Sequence, residues 1–337
     1  MKLLLYASLL PVIATVTSGF LKYVLLYLHA VGLAWILIQR TELSVSTNMY
    51  GLRQAILNVS LPPKESWFNM GLWEKEGLTY HQACVALVNA VANYMKLGRR
   101  TKILDVGYGC GDSCFHFADA YECDVTGITL ETQQWENAAS RLQEQWQPLS
   151  DRMTLLQGNA NDISSSMAGK QFDHIVCIDA AVHFGTKWDF FRDALPLLVP
   201  NGTIGLYDLV FPQPLNELSP FTQAIISWLC VKLHVSLEHC ITITAYEEKL
   251  KALGYIDVSI QRLPNKNVFG GLANYMQEQQ RRCIDSGLGL SINNRIFLTG
   301  AGSVYRLLGR REWVYPVLVT GRRPDSKTAI AGEPNSS

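Results

Sequence analysis

The first forty residues separate sharply from the rest by their pattern. From Leu3 to Ile38 the positions are apolar, with Lys22 as the single charge. A straight helix over these 36 residues would be about 54 Å long, against a hydrocarbon core of ~30 Å. Pro11 and Thr17-Ser18-Gly19 predict a break, leaving two apolar arms, Leu3 to Val16 and Phe20 to Ile38. The pattern predicts a membrane anchor over 1–40, as a helical hairpin or as one span plus a buried arm. Lys2, Arg40 and Arg53 put positive charge at both flanks, which favours their cytoplasmic placement. A cleaved leader ending near Val16-Thr17-Ser18 and a buried core helix are the alternatives. The long second arm argues against both.

Residues 41–66, with Pro62-Pro63, read as a linker, and 322–337, rich in Gly, Pro, Ser and Asn, as a fraying tail. Between them helical and strand periodicities alternate. Thr79 to Leu97 reads as a helix capped by Thr79, with Ala83, Leu87, Val88, Val91 and Met95 on one face. Strands are predicted at Lys102 to Val106, Cys123 to Ile128, Met153 to Gln157, Phe172 to Ile178, Thr203 to Leu209, Ile256 to Arg262 and Val314 to Thr320. Helices are predicted at Asp112 to Asp119, Glu131 to Trp146, Trp188 to Leu198, Pro220 to Val235 and Tyr246 to Leu253. Short apolar runs separated by helices indicate an α/β domain over 67–321, with a mostly parallel sheet covered on both faces and an antiparallel last strand. Helical insertions near 211–245 and 264–310 read as caps, and the apolar stretch Phe221 to Leu233 reads as core, as the roof of a greasy pocket or as a surface resting on a bilayer.

Composition narrows the function classes. Lys+Arg and Asp+Glu both number 29, so the basic footprint of a nucleic-acid binder is missing. The mean hydropathy of +0.07 fits a chain that meets lipid. Eight cysteines without a Cys-x-x-Cys pair suit a reduced, cytosol-facing domain rather than a zinc ribbon or a disulfide scaffold.

The chemistry-bearing segment is Ile103-Leu104-Asp105-Val106-Gly107-Tyr108-Gly109-Cys110-Gly111, a buried strand entering a turn with glycines at alternate positions. Such glycines admit positive φ and close approach of a ligand. The spacing differs from the Gly-x-Gly-x-x-Gly of dinucleotide sites, and Asp105 suits an ammonium group better than a pyrophosphate. Those features point to S-adenosylmethionine. With Asn69-Met70-Gly71-Leu72-Trp73 and Val125-Thr126-Gly127-Ile128-Thr129-Leu130, followed by Gln134, residues from about 67 to 263 resemble a class I S-adenosylmethionine-dependent methyltransferase. The nearest branch contains tocopherol methyltransferases and cyclopropane-fatty-acid synthases.

The resemblance implies a Rossmann-like methyltransferase sheet. It implies that Asp105, Gly107, Gly109 and Gly111 line the methionine end of S-adenosylmethionine, Thr129 and Gln134 the ribose, and Asn159 and Ala160 the adenine. Thr129 and Asn159 stand where many members carry carboxylates. Ile178-Asp179-Ala180-Ala181-Val182-His183 follows the fourth strand at the same sheet edge. His183 is the candidate base, or a packed or acceptor-orienting histidine, and Asp179 orients cofactor or acceptor, or caps a helix. Asp208 ends the fifth strand, facing the cleft or capping a loop. His29, His234 and His239 read as packing or surface residues. The expected function is methyl transfer to a lipid or other hydrophobic acceptor at an intracellular membrane, the endoplasmic reticulum, with the catalytic domain in the cytosol. A soluble acceptor, or a cofactor-binding scaffold without transfer activity, is the alternative.

Overall fold

The computed structural model describes residues 64–325 except His234, together with Gly19, residues 23–29 and Gly32. Most of the expected anchor over 1–40, residues 41–63 of the expected linker, His234 and the tail beyond 325 lie outside the described residues. Among the described residues no helix is long and apolar enough to cross a membrane. The chain divides into two units: Met1–Ser60 with Gln280–Arg295, and Leu61–Gln279 with Ile296–Ser337. In the first, residues 23–29 are helical; the second holds the sheet.

Seven strands, β1 (Lys102–Val106), β2 (Asp124–Thr129), β3 (Met153–Gln157), β4 (Phe172–Ile178), β5 (Leu198–Val210), β6 (Ile256–Arg262) and β7 (Tyr315–Arg322), form one sheet in the order β3-β2-β1-β4-β5-β7-β6. The first five pair in parallel, and β7 lies antiparallel between β5 and β6. The mostly parallel, Rossmann-like sheet expected from the alternation is therefore present, and so is its antiparallel last strand. Strand order reverses between β1 and β4, which opens a crevice above their carboxyl ends.

Helices α1 (Tyr80–Tyr94), α2 (Asp112–Ala120), α3 (Thr132–Glu144), α4 (Lys187–Ala194), α5 (Pro220–Leu233), α6 (Ile243–Ala252), α7 (Gly271–Asp285) and α8 (Ile292–Arg310) connect the strands. Alternation along β1 divides the core between two faces. Ile103 packs with Leu87, Val88, Val91, Phe115 and Phe117 on one side, and Leu104 and Val106 with Ile175, Phe190, Phe191 and Tyr246 on the other. The α1 terminus is closed by a capping box, Thr79 with Gln82.

Several boundaries move from their expected places, and three of the shifts have a clear local reason. β5 begins at Leu198 because that residue already pairs with Phe172, the ladder then slipping across Pro200-Asn201-Gly202 with Asn201 at φ +64°. α6 begins at Ile243, since the Thr242 hydroxyl accepts the Ala245 N–H at 3.2 Å. β7 extends to Arg322, which pairs with Thr203 on β5 and Ile256 on β6.

Asp208 does not face the cleft. Its carboxylate is fully buried, accepting from Lys187 Nζ at 2.8 Å and from the Tyr246 hydroxyl at 2.9 Å. Lys187 also lies 4.6 Å above the Tyr246 ring, so both charges are compensated inside the layer between β5, α4 and α6. Removing one partner strands a buried charge, which costs ~3–5 kcal/mol, whereas replacing both with apolar groups is far milder. Lys187→Met therefore lowers the melting temperature strongly, and adding Asp208→Leu recovers much of the loss; a thermal denaturation cycle over the four proteins measures this.

Candidate functional site

The crevice encloses a cavity of about 470 Å³ floored by Gly107 and Gly109 and walled by Ile128 to Glu131, Gly158 to Asn161 and Ile178 to Ala180. Both glycines have positive φ, +80° and +62°. A Cβ on Gly107 would stand 2.4 Å from the Ala180 Cβ, so this strand end closes on β4 only without a side chain. At Gly109 the nearest obstacle is the Phe68 ring at 3.3 Å, and the backbone there is open to whatever occupies the cavity.

Of the ten residues singled out from the sequence, Gly107, Gly109, Thr129, Gln134, Asn159, Ala160, Asp179 and His183 line this cavity. Asp105 and Gly111 do not. The Asp105 carboxylate lies under the loop, accepting from the Ser113 hydroxyl at 2.5 Å and the Cys114 thiol at 3.3 Å. Burial pushes its pKa up to about 6, against the opposing pull of those two donors. It holds the first turn of α2, and Ser113 rather than Asp105 reaches the cavity wall. A Cβ on Gly111 would meet Ala138 and Phe115 at 3.0 Å, so this glycine seats α3 against α2.

Several wall residues are additional to those the sequence suggested. Glu131, two residues beyond Thr129, is an exposed carboxylate at the β2 tip. Thr129 donates to Gln134 Oε1 at 2.9 Å, leaving the Gln134 amide group beside Glu131. Asn161 accepts from Gly185 N at 3.2 Å and donates to Thr186 O at 2.8 Å, tying the loop after β3 to the loop after β4.

The fourth wall comes from Ser66, Trp67, Phe68 and Asn69. This strap is pinned at both ends. Ser66 N donates to Asp112, whose carboxylate oxygens each accept from Arg141 at 2.8 Å, and Arg141 also donates to Lys64 O and Cys110 O at 2.8 and 2.9 Å. Lys64 and Ser66 thus belong to the domain, in place of the expected linker's end. At the other end Met70 N donates to Asp179 Oδ2 at 2.9 Å.

Asp179 sits at the β4 tip in the left-handed region, φ +58°. Burial is the main cause that lifts its carboxyl to about 7; the Met70 N–H opposes the lift and the Asp208 charge adds to it. His183 is exposed and borders the cavity. Its loop is fixed from behind by His239, a buried residue rather than a surface one. Nδ1 of His239 meets Val182 O at 3.1 Å and Nε2 accepts from Lys187 N at 3.1 Å. Burial and the Lys187 charge hold the His239 pKa below its ordinary value, which fits a neutral ring donating through Nδ1.

Comparison with known proteins agrees with this layout. Residues 39–219, more than half of the chain, match the family described as mycolic acid cyclopropane synthetase. The chain is similar to an erythromycin 3''-O-methyltransferase of Saccharopolyspora erythraea, 23% identical over 205 residues that cover 58% of this chain and 64% of that protein. It is also similar to a cyclopropane mycolic acid synthase of Mycobacterium tuberculosis, 27% identical over 165 residues covering 48% of this chain and 54% of the relative. The match thus spans between half and two thirds of these curated relatives. A solved mycolic acid cyclopropane synthase, complexed with SAH and CTAB, shares the fold with a TM-score of 0.58 at 20% identity, covering 83% of this chain and 98% of that one.

Asp179 makes stability depend on pH in a defined direction. An unfolded aspartate ionises near 3.8 and the folded one near 7, so between these values the native state holds the extra proton and loses stability as pH rises. Asp179→Asn keeps an acceptor for Met70 N–H and removes the cost of the buried charge. Its melting temperature is expected to exceed that of the parent by several degrees at pH 8 and to converge with it near pH 4, as calorimetric scans across this range would show.

Proposed function

The chain belongs to the mycolic acid cyclopropane synthetase family, and from that premise we propose that it is an S-adenosylmethionine-dependent methyltransferase whose acceptor is a lipid or another hydrophobic small molecule. The observation that carries the reading is the glycine-floored cavity, open at Gly109 and lined by polar groups, Glu131, Gln134 and Asn159 among them, together with aromatic and aliphatic side chains. Its volume lies within the range of small-molecule sites, about 300–1,000 Å³.

S-adenosylmethionine supplies a methyl group already activated on a sulfonium, so the protein's part is alignment, exclusion of water and disposal of any acceptor proton. Gly107 and Gly109 accept the amino-acid portion against bare backbone. Glu131 and the Gln134 amide present groups that suit the two ribose hydroxyls, and Asn159 to Asn161 offer amides to the adenine edge. Trp67, Phe68, Ile178 and Phe184 lend the acceptor side an apolar wall, which supports a greasy substrate.

Asp179, whose carboxyl is lifted to about 7, and His183 stand on that side as the candidate proton acceptors. A base is needed only for an acceptor that retains its proton, such as a hydroxyl. The same reading anchors residues 1–40 in an intracellular membrane, the endoplasmic reticulum, with the catalytic unit in the cytosol. The charges at Lys2 and Arg40 support that orientation.

Titration calorimetry of the full-length chain in detergent is expected to register S-adenosylmethionine binding, and Gly109→Asp to abolish it by filling the cradle. Labelled methyl from the cofactor should then enter a lipid extract with the parent and not with this variant. Incorporation only into a soluble extract would redirect the acceptor class, and binding without incorporation into either would reduce the chain to a scaffold. His183→Ala is expected to lower kcat roughly 100-fold at saturating acceptor; unchanged turnover would remove it as base.

A further inference from the structure

Helix α8 is apolar on two faces. The inner one is spoken for. A Cβ on Gly309 would fall 2.8 Å from Gly270, Tyr305 lies parallel to the Phe269 ring with centroids 6.4 Å apart, and the helix end is held by Asn265 Nδ2, which donates to Leu308 O, Arg311 O and Val314 O. These contacts fix the rotation of the helix. Burial on that face raises the Tyr305 pKa, and the Asp179 charge adds to the rise.

At 3.6 residues per turn, Ile296, Phe297, Gly300, Val304 and Leu307 then share an outward sector of about 100°. All are exposed, Ile296 at 64%, Phe297 at 62%, Val304 at 53% and Leu307 at 43%, and Trp313, just past the helix, is exposed at 54%. From Ile296 to Arg311 there is no acidic residue, and Glu312 is paired with Arg262. Arg310 borders the apolar sector and Arg311 continues it at its carboxyl end, while Arg306, half-buried on the same side as Arg310, bonds Gln277 Oε1. A rigid helix with an apolar stripe, a cationic border and an adjacent indole has the layout of an element lying in a membrane interface.

We propose that the outward face of α8, with Trp313, rests on an anionic lipid bilayer and holds the catalytic unit against it. Charge decides the occupant. The stripe suits the boundary of headgroups and acyl chains, where Ile296, Phe297, Val304 and Leu307 leave water while the arginines meet lipid phosphates. A second copy of this chain would set two cationic borders against each other. The surface does not depend on methyl transfer, but it would bring the crevice to the level at which a lipid acceptor resides.

The test uses the full-length chain on vesicles of phosphatidylcholine with phosphatidylserine and a lipid bearing a photoactivatable diazirine in its acyl chain. After irradiation, mass mapping of peptides is expected to place lipid adducts within 296–313. Val304→Asp combined with Leu307→Asp should lower those adducts at least tenfold while labelling within 1–40 persists, and vesicles lacking phosphatidylserine should lower them several-fold. Both substituted positions are exposed, and an unchanged thermal melt certifies the fold. Arg310→Gln with Arg311→Gln, which leaves the stripe intact, should remove the dependence on phosphatidylserine. Adducts confined to 1–40, adducts at 296–313 indifferent to both pairs of substitutions, or bifunctional cross-links from α8 to residues 1–40 or to a second copy in place of lipid would each overturn the proposal. None of these outcomes bears on cofactor binding, which is read separately by calorimetry.

Discussion

The site depends first on one buried ion pair. Arg141, on α3, grips both oxygens of Asp112 at the head of α2, and its remaining bonds go to the glycine loop at Cys110 and to the strap at Lys64. Three segments far apart in sequence, at 64, 110–112 and 141, thus meet on one guanidinium, which also lies 5.1 Å above the Phe115 ring. The planar fork is what makes this geometry available, since a lysine cannot bond two carboxylate oxygens and two carbonyls in fixed directions. A buried pair of this kind is a weak source of net stability because desolvation offsets the attraction. Its consequence here is positional: the strap can close the cavity in one register, and the head of α2, at Asp112 and Ser113, borders the cleft.

The opposite end of the strap rests on a group of another character. Asp179 is a carboxyl poised near neutrality, held in a left-handed turn and bonded to Met70 N–H. A positive φ at a residue with a side chain persists only where the surroundings over-determine it. Here the parallel ladder of β4 with β5 and the strap bond supply that constraint. The result is an acid at the cavity wall whose ionisation is coupled to how firmly the strap is held. His239 completes the arrangement by bonding both ends of the loop that carries His183.

Much of the architecture was legible because it rests on local rules. Four of the seven strands begin and end at the residues their hydrophobic runs predict, and the Gly107 and Gly109 conformations follow from residue type. What the sequence hides is pairing at long range. The salt bridges Arg141–Asp112 and Lys187–Asp208 join residues 29 and 21 positions apart across different elements, and no periodicity announces them. That is why Asp208, which reads as a cleft residue or a loop cap, proves to be core. Asp105 misleads for a related reason: a carboxylate before a glycine turn looks like a ligand group, but its two strongest partners, Ser113 and Cys114, come from the next helix and occupy it. Glu131 carries a readable signal, an acid just past the second strand.

The same division between local and distant constraints bears on how a greasy acceptor would reach the cavity. The polar wall is built from loops bonded to one another, Asn161 with Gly185 and Thr129 with Gln134, whereas the strap's Trp67 and Phe68 touch the cavity from a segment held mainly at its two ends. Trp67 is itself tied down, its indole N–H donating to His81 Nδ1 at 2.9 Å, but the exposed Phe68 ring can shift without breaking either anchor, because side-chain rotation needs no backbone bond to open. The loop-built wall of the crevice is thus rigid by hydrogen bonding, and the strap wall is adjustable at Phe68. Such a division suits a fixed cofactor and an acceptor of variable length, since shape tolerance then resides where the substrate is apolar and binding there is non-directional.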